Sequence, residues 1–357
     1  MKTKYTVKDK PMWKLEAVCC IASQFKDEEG RIIENSSKFG YTKEQMNNFL
    51  DKYITYKNAV LTEALPIFNK KYSILEPYFK PNDLGNPIAV GYVQNYESKL
   101  NSNISDADID EMIINNLNGM VHDLLDEEES NYNFTELSDV IVFLNKAQLD
   151  NDIKMQIINF HMNRYNLTRM IVDLLYEITP LCEKYYFLIE EEFKKTYDYL
   201  INIDNFYEVM KMYISINTME IGYFDIYINI FFFNQLSMRA INGLNAIFTG
   251  IHIFRLCELS DENKYNDTQM VASLKSLADT TRYKIICMLS EKSMYMQEIA
   301  DKLGLTAANV SHHINMLLQN NIISVILDSE KNKRIYYELN KTEISRLSEA
   351  LNSIIKQ

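Results

Sequence analysis

From residue 268 to the C-terminus the chain contains a single glycine, Gly304, and its placement constrains the fold more than any bulk property. Before it, the segment Tyr295–Leu303 sets Ile299, Ala300 and Leu303 on one side at helical spacing. After it, Thr306 is a capping residue for a segment in which Val310, Ile314, Leu317 and Leu318 recur at i, i+4, i+7 and i+8. A glycine takes the left-handed conformation that ends a helix and lets the chain turn sharply, with Leu305 plugging the turn. The spacing predicts helix, short turn, helix, an arrangement that presents its second helix to the major groove of duplex DNA.

The second helix divides cleanly. Its apolar stripe faces inward, which leaves Ala307, Ala308, Ser311, His312 and Asn315 outside, with Thr306 and Asn309 at its start. Small and short polar side chains permit close approach to base edges and exchange hydrogen bonds with bases and phosphates. From Ala307 to Gln319 there is no charged residue, whereas a helix that merely faced water would usually carry Glu and Lys. Beyond it, Ile322–Leu327 alternates as a strand, residues 328–332 form a polar loop, and Arg334–Leu339 returns as a second strand. This hairpin is expected to act as a wing, with Lys331, Lys333 and Arg334 meeting the phosphate backbone or the minor groove. Upstream, Asp279 is an N-cap for a helix carrying Ile285, Ile286 and Leu289, after a helix with Leu274, Leu277 and Ala278. A last helix, Thr342–Ile355, has Ile344, Leu347, Leu351, Ile354 and Ile355 on one stripe, suited to a dimer seam or a seal over the core.

Charge divides along the chain in the same place. The whole carries 37 basic and 49 acidic residues, a net charge of −12. Residues 271–357 hold 11 basic and 9 acidic residues, leaving 26 and 40 elsewhere, so +2 sits beside −14. The acidic part is not expected to lie on phosphate itself. All 6 prolines, all 17 phenylalanines and the one tryptophan also precede residue 265. These shifts predict a domain over 1–257, a polar linker over 258–270 and a second domain over 271–357.

The segment Ser276-Leu277-Ala278-Asp279-Thr280-Thr281-Arg282-Tyr283-Lys284-Ile285 resembles the opening of the arsenic-repressor (ArsR-like) winged-helix family. Ile299-Ala300-Asp301-Lys302-Leu303-Gly304-Leu305-Thr306, with Asn309-Val310-Ser311-His312-His313-Ile314, is similar to its helix-turn-helix, and Tyr336-Tyr337-Glu338-Leu339 to its wing end. The likeness spans roughly a quarter of the chain. It implies a homodimer that binds a near-palindromic operator, usually represses, and is released by a signal. Thr280 stands where the family commonly has proline. Tyr295 and Gln297 stand where its metal sensors carry Cys-x-Cys, and residues 342–357 contain no Asp or His for its other metal site. No metal or other cofactor is therefore expected in this module.

The first 257 residues read as mainly helical. Pro11 is a helix start before Trp13, Leu15 and Val18; Thr42 with Gln45, and Ser105 with Asp108, are capping boxes. A helical stretch over 150–200 is expected to kink or end at Pro180. Tyr213–Ile216, Phe224–Phe233 and Ala246–Phe254 read as strands of one small sheet, with Asn242-Gly243 as a turn. Outside residues 271–357 lie 38 of the 42 aromatics, which pack a core or enclose an apolar ligand. The five cysteines show no CxxC spacing and read as buried free thiols. Asp106-Ala107-Asp108-Ile109-Asp110 echoes a calcium loop, but Glu111 and Leu117 occupy its sixth and twelfth positions. No catalytic motif is present, no apolar stretch approaches the ~20 residues of a membrane helix, and no secretory signal opens the chain.

The fold class expected is thus α+β, mainly helical: a large helical N-terminal domain with a small sheet, then a winged helix-turn-helix. The expected protein is a cytoplasmic, homodimeric, sequence-specific regulator that binds double-stranded DNA, with an unknown small-molecule or protein effector, and is not an enzyme. The competing readings are an interaction scaffold whose winged helix no longer binds DNA, and an autoregulated enzyme in residues 1–257.

Overall fold

The computed structural model describes residues 5–82, 86–125, 132–147, 149–203, 214–216, 223–241, 244–262, 267–328 and 334–355. The N-terminal part is a helical assembly. Its helices are α1 (Trp13–Ser23), α2 (Glu28–Glu34), α3 (Lys43–Ile67), α4 (Glu76–Phe79), α5 (Ile88–Tyr96), α6 (Asp106–Leu125), α7 (Leu137–Lys146), α8 (Asn151–Met162), α9 (Arg164–Tyr185) and α10 (Glu190–Asn202). Both capping boxes are present. Thr42 Oγ1 accepts from Gln45 N at 3.1 Å while Gln45 Oε1 accepts from Thr42 N at 2.9 Å. Ser105 and Asp108 exchange the same pair of bonds, opening α6 where the calcium-like spacing falls.

Pro180 does not end its helix: the stretch over 150–200 breaks at Asn163 and again at 186–189, and α9 continues through Pro180. The lost backbone bond costs roughly 3 kcal/mol, which the burial of Ile171, Leu174, Leu175, Ile178 and Cys182 along the same helix offsets.

Strands β1 (Tyr5–Val7), β3 (Phe224–Asn229), β4 (Leu236–Ile241) and β5 (Leu244–Gly250) form one sheet in the order β1-β3-β5-β4. The first three are parallel and β4 is antiparallel to β5, joined across positions 242–243, which lie outside the described residues. The expected strand Phe224–Phe233 stops at Asn229, because the next residues turn. There the carboxyl group of Glu16, on α1, accepts the backbone N–H of Ile230 at 2.8 Å and of Phe231 at 3.1 Å on its two oxygens. Gly250 closes this turn. A Cβ at that position would lie 2.2 Å from the backbone of Phe233, so only glycine fits. The expected strand Ala246–Phe254 also ends early, at Gly250, and Ile253 begins helix α11 (Ile253–Glu262).

Aromatic side chains fill the core under this sheet. Tyr53 packs on Phe233, Tyr56 on Phe231 and Phe68 on Phe79, with ring centroids 4.3, 5.2 and 5.4 Å apart. A cavity lined in part by Tyr53, Phe231 and Phe232 has room for about one water. These aromatics are core. His161 is buried with Nε2 2.8 Å from Phe134 O. Cys19, Cys20 and Cys182 are buried free thiols, but Cys257 is half-buried and Cys287 exposed, because Cys287 falls on the outer side of its helix.

The C-terminal part is α12 (Asp267–Leu277), α13 (Thr280–Glu291), β6 (Met294–Tyr295), α14 (Met296–Leu303), α15 (Ala307–Gln319), β7 (Ile323–Asp328), β8 (Arg334–Leu339) and α16 (Lys341–Ile355). Its buried cluster is separate and contains no Phe: Ile285, Leu289, Met294, Ile299, Ala300, Val310, Ile314, Leu317, Ile322, Ile323 and Tyr337. Strands β6, β8 and β7 pair antiparallel. Onto the free edge of β7 comes β2 (Ile214–Ile216), parallel, with Ile214 opposite Val325 and Ile216 opposite Leu327. The sequence assigned this segment to the N-terminal sheet. A three-residue Ile-Ser-Ile strand carries no side-chain pattern that names its partner, and a free edge is what any such strand can pair with. Residue 213, expected in that strand, lies outside the described residues.

Candidate nucleic-acid interface

Helix α14 ends at Gly304, whose φ of 65° is left-handed. The Leu305 N–H then returns to Ala300 O at 3.0 Å, satisfying a carbonyl of the last turn. Thr306, extended at φ −73° and ψ 151°, accepts the Asn309 N–H on its hydroxyl at 3.2 Å and starts α15. Each step follows from one residue: glycine for positive φ, leucine packed on the core, threonine as the cap.

On α15, Val310, Ile314 and Leu317 are fully buried. Thr306, Asn309, His312 and Asn315 are exposed, and Ala307 and Ser311 half-exposed. Those six therefore lie on the solvent side of the second helix of a helix-turn-helix. The side chain of Ala308 lies outside the described set, as does that of Arg334, the first residue of β8. Lys331 and Lys333, in the connection between β7 and β8, lie outside the described residues altogether. The hairpin itself is present, in register from Ile323 opposite Leu339 to Asp328 opposite Arg334.

His312 and His313 diverge, as neighbours on a helix must. The His312 ring is exposed, 5.9 Å from that of His313. His313 is half-buried, with Nδ1 3.5 Å from Asp279 Oδ1. The Arg282 N–H, donated to Asp279 at 2.9 Å, holds the Asp279 carboxyl below the usual carboxylate range. At the positions where metal sensors carry thiolates, the Tyr295 ring meets Tyr336 edge-on at 5.8 Å, and the Gln297 amide donates to Asp301 at 2.8 Å. Both side chains are occupied in packing and hydrogen bonding.

Sequence reasoning missed a polar network behind this face. Arg282 Nε donates to Ser276 O at 2.6 Å and Nη2 to Lys275 O at 2.9 Å, so the guanidinium caps the end of α12. Asn320, the C-cap of α15, donates through Nδ2 to Ser276 Oγ at 2.8 Å and to Met316 O at 2.9 Å. The clue was Ser276, a polar residue at an inward position of α12; it is 1% exposed.

The model of the "Bacterial regulatory protein, arsR family" matches residues 279–325, from the cap of α13 into β7. The transcriptional repressor SdpR of Bacillus subtilis is 38% identical over 68 residues, 19% of this chain and 72% of its own length. The transcriptional activator HlyU of Vibrio cholerae is 25% identical over 96 residues, 27% of this chain and 86% of its own length. No solved structure matches the chain. The chain belongs to the arsR family of bacterial regulatory proteins through its C-terminal part, and it is a DNA-binding transcriptional regulator. No helix among the described residues is long and apolar enough to cross a membrane.

Proposed function

We propose that this protein is a homodimeric, sequence-specific repressor of the cytoplasm, whose N-terminal 257 residues receive the signal that releases it. The observation that carries the reading is the uncharged outer face of α15, with Asn309, Ser311, His312 and Asn315 opposite a fully buried apolar stripe. Donor and acceptor side chains on a helix held by a rigid core read base edges, while charge supplied elsewhere sets general affinity. Two such helices about 34 Å apart in a two-fold dimer would read a near-palindromic operator. Residues 271–357 are the reading unit, with Lys331, Lys333 and Arg334 of the wing on phosphate. Of the named relatives, one is a repressor and one an activator; the family resemblance favours repression.

Two substitutions test the assignments. Asn315→Ala should reduce the preference for operator over scrambled duplex by roughly 1–3 kcal/mol and leave binding to scrambled DNA unchanged. Arg334→Ala should weaken binding to both duplexes alike and lower the salt slope by about 1. Wild-type behaviour in both variants would contradict this placement of the interface.

A further inference from the structure

We propose that the end of α12 is a joint that sets the rotation and tilt of the recognition helix α15, with Ser276, Asp279, Arg282 and Asn320 as its positioning residues. The inference rests on the DNA-binding reading for its functional meaning, but the joint itself is a property of the free protein.

Two attachments define it. At the first, Asp279 Oδ1 accepts the Arg282 N–H at 2.9 Å and faces two further nitrogens at ion-pair distance without a hydrogen bond, Arg282 Nη1 at 4.0 Å and His313 Nδ1 of α15 at 3.5 Å. The same arginine holds the last carbonyls of α12 through Nε and Nη2. At the second, the buried Ser276 hydroxyl donates to Met316 O at 3.4 Å and accepts the Asn320 amide, which closes the far end of α15. Met316 and Asn320 lie three and seven residues beyond His313, roughly 5–10 Å along the helix axis.

One attachment would leave a helix free to turn about it; two at different heights fix both rotation and tilt. The precision matters because base readout is directional. The outer side chains lie roughly 5 Å from the axis, so a 10° rotation carries their tips about 1 Å. That displacement spoils a hydrogen bond to a base edge and barely alters a long-range attraction to phosphate. The apolar stripe of Val310, Ile314 and Leu317 buries α15 and sets its crossing on the core; the polar contacts along the same helix narrow the rotation that this packing leaves. None of the four residues belongs to the outer face. Helix α12 is also one of the places where the rest of the chain reaches this module, β2 on the edge of β7 being another: it and α11 both touch the 3-10 turn Ser36–Phe39.

The test uses the full chain carrying Ser276→Ala, Asp279→Asn, Asp279→Ala, or Ser276→Ala with Asp279→Asn. Asparagine remains a good N-cap, so Asp279→Asn keeps the start of α13 and removes the charge that faces His313. Three quantities are read: dissociation constants for operator and scrambled duplexes, the thermal midpoint, and amide hydrogen exchange over residues 307–319 without DNA. The joint predicts that the double variant loses about tenfold in operator affinity, with scrambled-duplex affinity and thermal midpoint near wild type. It also predicts faster exchange within 307–319 and not within β7 or β8. Wild-type operator affinity and wild-type exchange in the double variant would overturn it. Loss in Asp279→Ala with wild-type behaviour in Asp279→Asn would reduce Asp279 to a cap and overturn its part. Should the wild-type protein prefer no duplex, the DNA reading fails, and exchange alone decides: faster exchange in the variants supports the joint, and unchanged exchange rejects it.

Discussion

The two cores of this chain do the same job with different materials. Residues 7–256 are held by aliphatic side chains interleaved with many tyrosines and phenylalanines, with a buried acid, Glu16, among them, while residues 285–337 are held by Ile, Leu, Val, Met and Ala with one tyrosine. The larger core buries a bulky, partly polar interior whose hydroxyls need partners, such as Tyr53 to Phe231 O and Tyr56 to Cys182 O. The smaller core has few such needs, and its polar work is done at helix ends, by Asp279, Gly304, Thr306 and Asn320. A large core can absorb a proline in the middle of a helix. A small one depends on each buried side chain and each cap.

The sharpest way to break this comparison is Ile314→Ala. Truncating a fully buried isoleucine costs roughly 2–5 kcal/mol, a large share of what a small core has. Circular dichroism should show the C-terminal part melting early or unfolded. Fluorescence of the one tryptophan, Trp13, should report an unchanged N-terminal transition. Loss of both transitions together would show that the two cores fold as one.

Glu16 sharpens the comparison through pH. Burial holds its carboxyl up to about 8, against the two backbone N–H donors that pull it down. The folded value lies above the ordinary carboxylate value, so its contribution to stability is complete at low pH and is lost as pH rises toward 8. Burial holds His252 down to about 4, and its effect has the opposite sign: stability is lost as pH falls below the ordinary histidine range. Between pH 6.5 and 8 only the Glu16 effect acts. Denaturant titrations of the N-terminal transition should lose an amount on the order of 1–2 kcal/mol across that window, and the slope should vanish in Glu16→Gln. A flat wild-type profile would mean that the N–H donors outweigh burial. The C-terminal transition should show no matching slope.

An effect of similar size is expected at the turn. A Cβ on Gly304 meets nothing within 4 Å, so Gly304→Ala is penalised only by its φ of 65°. A cost of about 1–2 kcal/mol follows, confined to the C-terminal melt. A larger loss would reveal a contact that the free space denies.

These differences also explain what could be read without a structure. In the C-terminal part the informative signals are local: Gly304 and Thr306 specify their own backbone, and Val310, Ile314 and Leu317 repeat at helical spacing. Hence the helix-turn-helix, the hairpin and the outer face of α15 were legible. The N-terminal sheet is built from long-range pairs, such as Tyr5 opposite Phe224, that no local pattern names. The strands β1 and β4 were not foreseen, and β2 was assigned to the wrong sheet. Pro180 does not end its helix, because the burial along α9, which no local pattern displays, outweighs its propensity. The Ser276–Asn320 and Asp279–His313 contacts join residues 44 and 34 positions apart, so only the folded chain brings them together.

The central claim is that the face of α15 reads duplex DNA. Its most direct test is binding of the full-length protein to a duplex from its own upstream region, against a scrambled duplex, at two salt concentrations. The account predicts tight, salt-sensitive binding with a preference for the upstream duplex that persists at the higher salt. Equal binding to both duplexes at both salts would contradict it.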